Sequence, residues 1–162
     1  MGKTTLKKEL ALRGYETHDM DDSDLGGAHN KTTSKHVEIP SADTRTQQWY
    51  DEHEWRTYPP AIEQLRKEAR TKDIFVCGVA PDDIKVISLF DKVVYLDLPD
   101  KHLRRRIAER VDNDYGKNSF ELEDILQRKA ILDARYANKA TVKVSANGSV
   151  SVVADRIISS VS

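Results

Sequence analysis

The sequence has 162 residues, of which 33% are charged, and its net charge is −1, as expected of one folded globular domain rather than a disordered or strongly basic chain. The near-zero net charge gives no reason to expect nucleic acid or an acidic membrane surface as a partner. The one cysteine, Cys77, cannot close an internal disulfide, and no apolar stretch approaches the roughly 20 residues that span a bilayer, so we expect a cytoplasmic protein.

Apolar periodicity and the positions of Gly and Pro divide the chain into alternating helices and strands. The predicted elements begin with a helix at 4–13, a strand at 15–19, a long polar loop at 20–45, helices at 44–57 and about 60–71, and a strand at 73–80. They continue with a short helix at 82–89, a strand at 91–98, helices at 99–111 and 119–138, a strand at 140–144 and a last helix that Ser149 caps.

Two of the predicted strands are nearly continuous apolar runs, "DIFVCGVA" at 73–80 and "DKVVYLDL" at 91–98. Strands that are apolar on both faces lie inside a sheet that helices cover. The alternation of strands and helices therefore predicts a single α/β domain over residues 1–162, with a mostly parallel sheet.

The start of the chain matches the second half of a phosphate-binding loop. Gly2, Lys3, Thr4 and Thr5 fit the end of the pattern Gly-x-x-x-x-Gly-Lys-Ser/Thr, and they open the first predicted helix. In such a loop the backbone N–H groups surround the phosphates, the lysine contacts the outer phosphates and the hydroxyl binds Mg²⁺. Four residues also occur in this order by chance, so the motif alone leaves both interpretations open.

Two carboxylates follow the first predicted strand. The stretch "HDMDD" places Asp19 and Asp21 two residues apart, and ligands of open α/β sheets bind at the carboxyl ends of the strands. Carboxylates at that position could orient Mg²⁺ through water and accept the proton of a hydroxyl group that is phosphorylated. The alternative is a solvated acidic turn, which the further acids Asp22 and Asp24 favour.

The stretch "LRRRIAERVDNDYGKN" is rich in arginine. Arg106 and Arg110 are four residues apart, so they share one face of the predicted helix. Because arginine both stacks on flat rings and binds phosphate, this face could contact adenine and phosphoryl groups together. A solvated basic face paired with Glu109, Asp112 and Asp114 is the alternative.

Taken together, these stretches resemble the P-loop kinases of the nucleoside monophosphate kinase and shikimate kinase type. The resemblance is carried by "GKTTL", "HDMD", "DIFVCGVA" and "VVYLDLPDKHLRRRIAERVDND", and it covers nearly the whole chain in element order. The stretches "FVCGVA", "LFDKVVYLDLP" and "RVDNDYGK" also resemble small bacterial proteins described as AAA-type or kinase-like ATPases. The resemblance implies a three-layer P-loop kinase-like fold, ATP and Mg²⁺ as cofactors, and transfer of the γ-phosphoryl group to an unidentified small metabolite or nucleotide.

The resemblance also implies which residues bind the nucleotide and its metal. The nucleotide-binding set is Gly2, Lys3, Thr4, Thr5, Arg106 and Arg110. Lys3 matches the loop lysine, and Thr4 matches the hydroxyl that ligates magnesium. Arg106 and Arg110 match the arginine pair of the lid helix, the first near adenine and the second near phosphate.

The acceptor side is implied in the same way. Asp19 and Asp21 match an Asp-x-Asp pair that belongs to the substrate-binding set, in which Asp21 touches the acceptor and Asp19 also serves the metal. Gly78 matches the point where a strand passes close to the acceptor. The catalytic set implied by the resemblance is Lys3, Asp21 and Arg110, with a short lid at about 111–119.

Two features depart from the family pattern. The lid lacks the further arginines that shikimate kinases use for their carboxylate substrate, so shikimate is not the expected acceptor. The first half of the loop and the strand before it, about a dozen residues, are also missing. In this fold that strand is the central one, so we expect either a start upstream of Met1 or a marginally folded chain that binds ATP weakly.

Three functions therefore stand side by side: an ATP-dependent small-molecule kinase, a non-catalytic nucleotide-binding module, and an inactive remnant truncated at its amino terminus. The expected partners are ATP and a small-molecule acceptor, without nucleic acid or membrane, and the expected state is a monomer or a weak homodimer. The substitution Lys3→Met separates the three. A kinase loses turnover, a binding module loses nucleotide binding without ever having shown turnover, and a remnant loses nothing.

Overall fold

The computed structural model describes residues 3–40, 46–79, 86–109, 117, 119–136 and 142–161. The chain divides into two compact units, Met1–Asp91 and Lys92–Ser162. The elements of the first unit are α1 (Lys3–Leu12), β1 (Glu16–Asp19), β2 (Gly26–Asn30), β3 (His36–Val37), α2 (Gln47–Glu52), β4 (His53–Thr57), α3 (Pro59–Glu68) and β5 (Ile74–Cys77). Those of the second unit are β6 (Val94–Asp97), α4 (Asp100–Glu109), α5 (Ser119–Tyr136), β7 (Val142–Ser145) and α6 (Val150–Val161).

The first unit contains a pair of parallel strands, β1 and β5, in which Asp19 lies opposite Cys77 at the carboxyl ends. Helix α1 packs on both strands and buries the predicted face of Leu6 and Leu10. Gly14 ends this helix with a φ of +90°, a conformation that costs any residue with a Cβ atom.

A second, antiparallel sheet in the same unit places β2 between β3 and β4. The prediction of a loop over 20–45 is therefore wrong at β2 and β3. The prediction of a helix over 44–57 is wrong after Glu52, because His53–Thr57 is the strand β4. In "HEWRT" the side chains alternate between two faces, and pairing with β2 overrides the weak helical pattern.

The hydrophobic core of the first unit joins the end of β1 to α3. Met20, Leu25, Ile62 and Val86 form its buried cluster. Of the helix predicted at 82–89, residues 82–85 lie outside the described residues, and Ile87–Leu89 form a short 3₁₀ turn.

The second unit repeats the motif of a parallel pair covered by helices. β6 pairs with β7, with Asp97 opposite Ser145 at the carboxyl ends. Its core is the buried cluster of Leu98, Leu103, Ile107 and Ala146, against which Leu122, Ile125 and Leu126 of α5 pack. The predicted cap of the last helix is confirmed, because the Val152 N–H donates to Ser149 Oγ over 3.4 Å.

These elements confirm the α/β class with parallel strands and helices. The apolar strands β5 and β6 were expected to be buried on both faces, yet every residue of both is only half-buried. In the part of the chain that the structure describes, each of these two strands has a single ladder partner, so its other edge has no neighbouring strand. The single-domain organisation and the missing central strand stay predictions. None of the described helices is long and apolar enough to cross a bilayer.

Candidate functional site

The carboxyl end of β1 forms a turn that its own acidic residues close. The Asp19 N–H donates to Asp22 Oδ2 over 2.8 Å, and the Asp21 N–H donates to Asp19 Oδ1 over 3.1 Å. The Asp22 N–H in turn donates to the Asp19 carbonyl over 2.9 Å. Asp21 itself is exposed and Asp19 is half-buried. The turn, which we call the acidic turn (Asp19–Asp22), therefore leaves the Asp21 side chain accessible to a ligand.

Helix α1 is tied to the acidic turn through Lys7, whose Nζ lies 3.3 Å from Asp22 Oδ2. The pKa of Asp22 is lowered, first by the hydrogen bond from the Asp19 backbone and then by Lys7, while partial burial opposes both. Because only residues 13–15 separate α1 from β1, the helix runs back along the strand. Its first turn thus lies at the same end of β1 as the acidic turn.

Gly78 lies beside the acidic turn. The Met20 N–H donates to the Cys77 carbonyl over 2.9 Å, which brings the turn onto the end of β5. A Cβ atom at position 78 would lie 2.2 Å from Met20 Cβ, a separation that real structures do not show. Gly78 therefore lets the backbone of the acidic turn pack against the end of β5.

In the second unit, Arg106 contacts the loop that follows β7. Its guanidinium group donates to the carbonyls of Ala146 over 2.7 Å and of Gly148 over 3.2 Å. Arg156 holds the neighbouring carbonyls of Ser145 and Asn147. Two arginines thus fix the loop at the carboxyl end of β7, where open α/β folds bind ligands.

The structure brings together part of the predicted site. Asp19, Asp21 and Gly78 lie at one end of the β1–β5 pair, with the backbone of Lys3 in the first turn of α1. Thr4 and Thr5 are exposed in that turn. Arg106 belongs to the second unit. Gly2, Arg110 and residues 111–116 and 118 of the predicted lid lie outside the described residues.

Sequence reasoning missed Lys7 and Asp22, which fix the acidic turn to α1. Their contact joins residues 15 positions apart, so no local spacing signals it. In the sequence, Asp22 is only one further acid that favours a solvated turn. The sequence signal that could have singled it out is its place directly after the Asp-x-Asp pair, where a short polar side chain can bond to a backbone N–H.

The oxygen donors at this end of the unit suit magnesium held together with phosphates. Mg²⁺ prefers carboxylate and hydroxyl oxygens and usually keeps only one or two protein ligands beside substrate phosphates. Asp19 and Thr4 are donors of this type. No group of three or more His, Cys, Asp or Glu side chains among the described residues is arranged to hold a metal ion. Asp19 and Thr4 could therefore supply one or two oxygen ligands to a magnesium ion.

Comparison with solved structures shows a likeness of fold. The chain is similar to the crystal structure of shikimate kinase from Bacteroides thetaiotaomicron, with a TM-score of 0.53 and 17% sequence identity, over 99% of this chain and 92% of that one. No protein-family model matches the sequence, and a search of curated proteins found no match. At this identity the likeness shows the fold: a shikimate kinase-like P-loop arrangement.

Proposed function

We propose that this protein binds ATP and, as a small-molecule kinase, transfers the γ-phosphoryl group to a hydroxyl or phosphate oxygen of a small metabolite or nucleotide. The observation that carries the proposal is the contact between Lys7 of α1 and Asp22 of the acidic turn, 3.3 Å long. It joins the helix that begins with Lys3, Thr4 and Thr5 to the turn that carries Asp19 and Asp21. Phosphate-binding and proton-accepting groups of a kinase need to be neighbours in this way.

On the nucleotide side, the backbone N–H groups at the start of α1 would hold the phosphates, helped by the positive end of the helix dipole. Lys3 would neutralise the outer phosphates. Thr4 and Asp19, directly or through water, would hold Mg²⁺, which when bound neutralises charge on the β- and γ-phosphates. The resemblance also assigns Arg106 and Arg110 to the nucleotide, and the expected partners are ATP and the acceptor alone.

On the acceptor side, Asp21 would orient the attacking hydroxyl group. The acceptor oxygen forms a bond to the γ-phosphorus while the bond from that phosphorus to the β–γ bridging oxygen breaks, giving ADP. The hydroxyl proton passes to the Asp21 carboxylate. The exposure of Asp21 supports this role, since the group must be reachable by a ligand. We further propose a cytoplasmic monomer or weak homodimer.

The test is transfer of radiolabelled γ-phosphate from Mg·ATP to a panel of hydroxylated metabolites and nucleoside monophosphates. We expect a labelled product with the unaltered chain, and a loss of rate of about 10²-fold or more with Asp21→Asn, at unchanged ATP affinity. Asp24→Asn, an exposed acid two residues beyond the acidic turn, is the matched control and keeps full activity.

Equal rates for Asp21→Asn and the unaltered chain would refute the role of Asp21. ATP binding without transfer to any acceptor would instead favour the non-catalytic nucleotide-binding module.

A further inference from the structure

The turn between β2 and β3 holds these two strands in one register. The Asn30 side-chain oxygen accepts the N–H groups of Thr32 and Thr33 over 3.1 and 2.9 Å. The Ser34 N–H donates to the Asn30 carbonyl over 2.8 Å, and Ser34 has a φ of +58°, in the left-handed region that tight turns use. Because the turn is closed by its own hydrogen bonds, it determines which residues of β2 and β3 lie opposite each other.

This register places two histidines directly opposite each other, His29 on β2 and His36 on β3. The Asn30 N–H donates to the Lys35 carbonyl over 2.9 Å. The next pair of the ladder, His29 and His36, is therefore of the non-hydrogen-bonded kind, in which opposite side chains are closest. The two imidazole rings meet edge to face, with centroids 5.5 Å apart. The hairpin thus holds two imidazoles side by side on one face of the sheet.

The ring of His29 is held in the form that binds metal ions. Its Nδ1 lies 3.0 Å from the Gly27 carbonyl oxygen, which can only accept, so Nδ1 carries the hydrogen and Nε2 keeps its lone pair. Histidines that bind metals usually donate their other ring N–H to a carbonyl or carboxylate in this way, which fixes both the tautomer and the ring orientation. The Tyr58 ring supports the same orientation edge to face, with centroids 5.9 Å apart.

Two further polar groups lie over Gly27, beside the His29 ring. A Cβ atom at position 27 would lie 3.0 Å from His36 Nε2 and 2.4 Å from the Tyr58 hydroxyl oxygen, so only glycine leaves room for both. In the part of the chain that the structure describes, neither the His36 ring nor the Tyr58 hydroxyl has a hydrogen-bond partner. His36 is also exposed, so an ion can reach its ring from solvent.

The charged side chains on this face balance each other. Glu54 lies opposite His29 on β4, and Arg56 lies opposite Gly27. Because Arg56 Nε donates to Glu54 Oε1 over 2.8 Å, the pair places no net positive charge beside the imidazoles to repel a cation. Two imidazole nitrogens suit zinc, copper or nickel, whereas Mg²⁺ prefers a shell of oxygen ligands.

We propose that His29 and His36 bind a divalent transition metal ion, with zinc as the expected ion, through their Nε2 atoms. Water completes the tetrahedral coordination, and the Tyr58 hydroxyl forms a hydrogen bond with one of these waters. The ion joins β2 to β3, a strand of only two residues, and so stabilises the antiparallel sheet. This site is independent of the proposed phosphoryl transfer, since its ligands belong neither to the acidic turn nor to the start of α1.

The first experiment is calorimetric titration of ZnCl₂ into the full chain, in a buffer without phosphate or chelators at about pH 7.5, where most imidazoles are neutral. We expect one saturable site, and an affinity about tenfold or more weaker in His29→Gln and in His36→Gln. Zinc should also raise the urea midpoint of the unaltered chain but not that of His36→Gln. MgCl₂, titrated in a separate arm, should not bind at the two histidines.

His53→Gln is the matched control. His53 Nδ1 also lies near a backbone carbonyl, 2.8 Å from that of Trp49, but its ring stacks on the Trp49 ring instead of facing a second imidazole. His53→Gln should therefore bind zinc as tightly as the unaltered chain.

A second measurement needs no variant, so it holds even where a histidine substitution disturbs folding. In the unaltered chain with ¹⁵N-labelled histidine, zinc should shift the NMR signals of Nε2 in His29 and in His36, and leave those of His53 in place. Absence of zinc binding, zinc binding that moves neither of the two ring signals, or equal affinity in His36→Gln would overturn the site. Loss of zinc binding in Asp21→Asn would also overturn it, because the ion then binds at the acidic turn.

Discussion

Asp22 shows how a single side chain can determine the shape of a candidate site that it does not itself serve. Its carboxylate accepts the Asp19 N–H and contacts Lys7 Nζ, while the neighbouring Asp21 stays exposed. The Asp21 side chain is thereby left exposed, while Asp19 Oδ1 itself accepts the Asp21 N–H within the turn. The acid with the lowered pKa is thus a positioning residue.

The lowered pKa of Asp22 fixes the sign of a pH effect. The ionised carboxylate stabilises the fold above its unfolded pKa of about 3.9, and this contribution disappears as the pH falls through the lower folded-state pKa. We expect Asp22→Asn to reduce the free energy of unfolding by about 1 kcal/mol at pH 7, because the partner Lys7 is partly exposed.

Urea denaturation over a series of pH values measures this difference. It should shrink once the pH falls below about 4. Asp24→Asn is the control and should match the unaltered chain throughout. A difference between Asp22→Asn and the unaltered chain that is independent of pH would contradict the assignment.

Gly78→Ala tests the packing of the acidic turn on β5. The new Cβ atom would meet Met20 Cβ at 2.2 Å, so the turn must move, at a cost of about 1–3 kcal/mol. Gly14→Ala is the matched control, because nothing lies within 4 Å of its Cβ position. It loses about 1–2 kcal/mol of unfolding free energy, and this loss arises only from its positive φ.

Urea denaturation measures the loss of stability in Gly78→Ala and in Gly14→Ala. Titration of ATP with and without Mg²⁺ then measures how much of the ATP affinity of each variant depends on magnesium. Only Gly78→Ala should weaken the magnesium-dependent part of binding, because only it moves Asp19. Equal effects of the two variants on that binding would show that the acidic turn does not serve the metal.

At the scale of elements, the sequence predicted the parallel strands and most helices, and it missed the antiparallel sheet. The apolar runs of β5 and β6, Gly14 after α1 and Ser149 before α6 are local signals, and they gave the right elements. The strand β2, "GGAHN", has neither β-branched nor large apolar residues and forms through pairing with β4. Pairing between strands that are distant in the sequence produces no periodic pattern of apolar residues in β2 itself.

In the candidate site too, the sequence predicted local features and missed the contacts between distant residues. The acidic pair after β1 lies at a strand end, as its sequence position indicated. The links that hold it, from Lys7 and from Met20 to Cys77, depend on how α1 and β5 pack, which no spacing in the chain encodes.

The loop after β7 offers a comparison between two arginines on different helices. Arg106 on α4 and Arg156 on α6 each hold two carbonyls of residues 145–148. We expect Arg106→Ala to destabilise the protein by about 1–3 kcal/mol, because the carbonyl of the buried Ala146 loses its donor, and Arg156→Ala by less, about 0.5–1 kcal/mol, because the carbonyls that it holds are exposed. Denaturation checks this.

ATP affinity then distinguishes the two arginines. If Arg106 also contacts the nucleotide, Arg106→Ala weakens ATP binding about tenfold beyond any effect of Arg156→Ala. Equal ATP affinities of the two variants would show that Arg106 contacts the loop after β7 and does not contact the nucleotide.

At the scale of the whole molecule, two units each hold one parallel pair with a half-buried apolar strand, β5 in one and β6 in the other. The overall likeness is to a P-loop kinase fold. Among the described residues each of these two strands has one ladder partner, and backbone groups without a ladder partner cost about 1–3 kcal/mol each when buried.

The most direct test of a triphosphate site at the start of α1 is calorimetric titration of Mg·ATP into this 162-residue chain, Lys3→Met and Lys8→Met. Lys8 is exposed on the same helix and serves as the control. We predict one binding site with a dissociation constant weaker than the low micromolar range, about tenfold or more weaker still in Lys3→Met, and unchanged in Lys8→Met. No binding by the unaltered chain, or equal affinity in Lys3→Met, would contradict a nucleotide site at the start of α1.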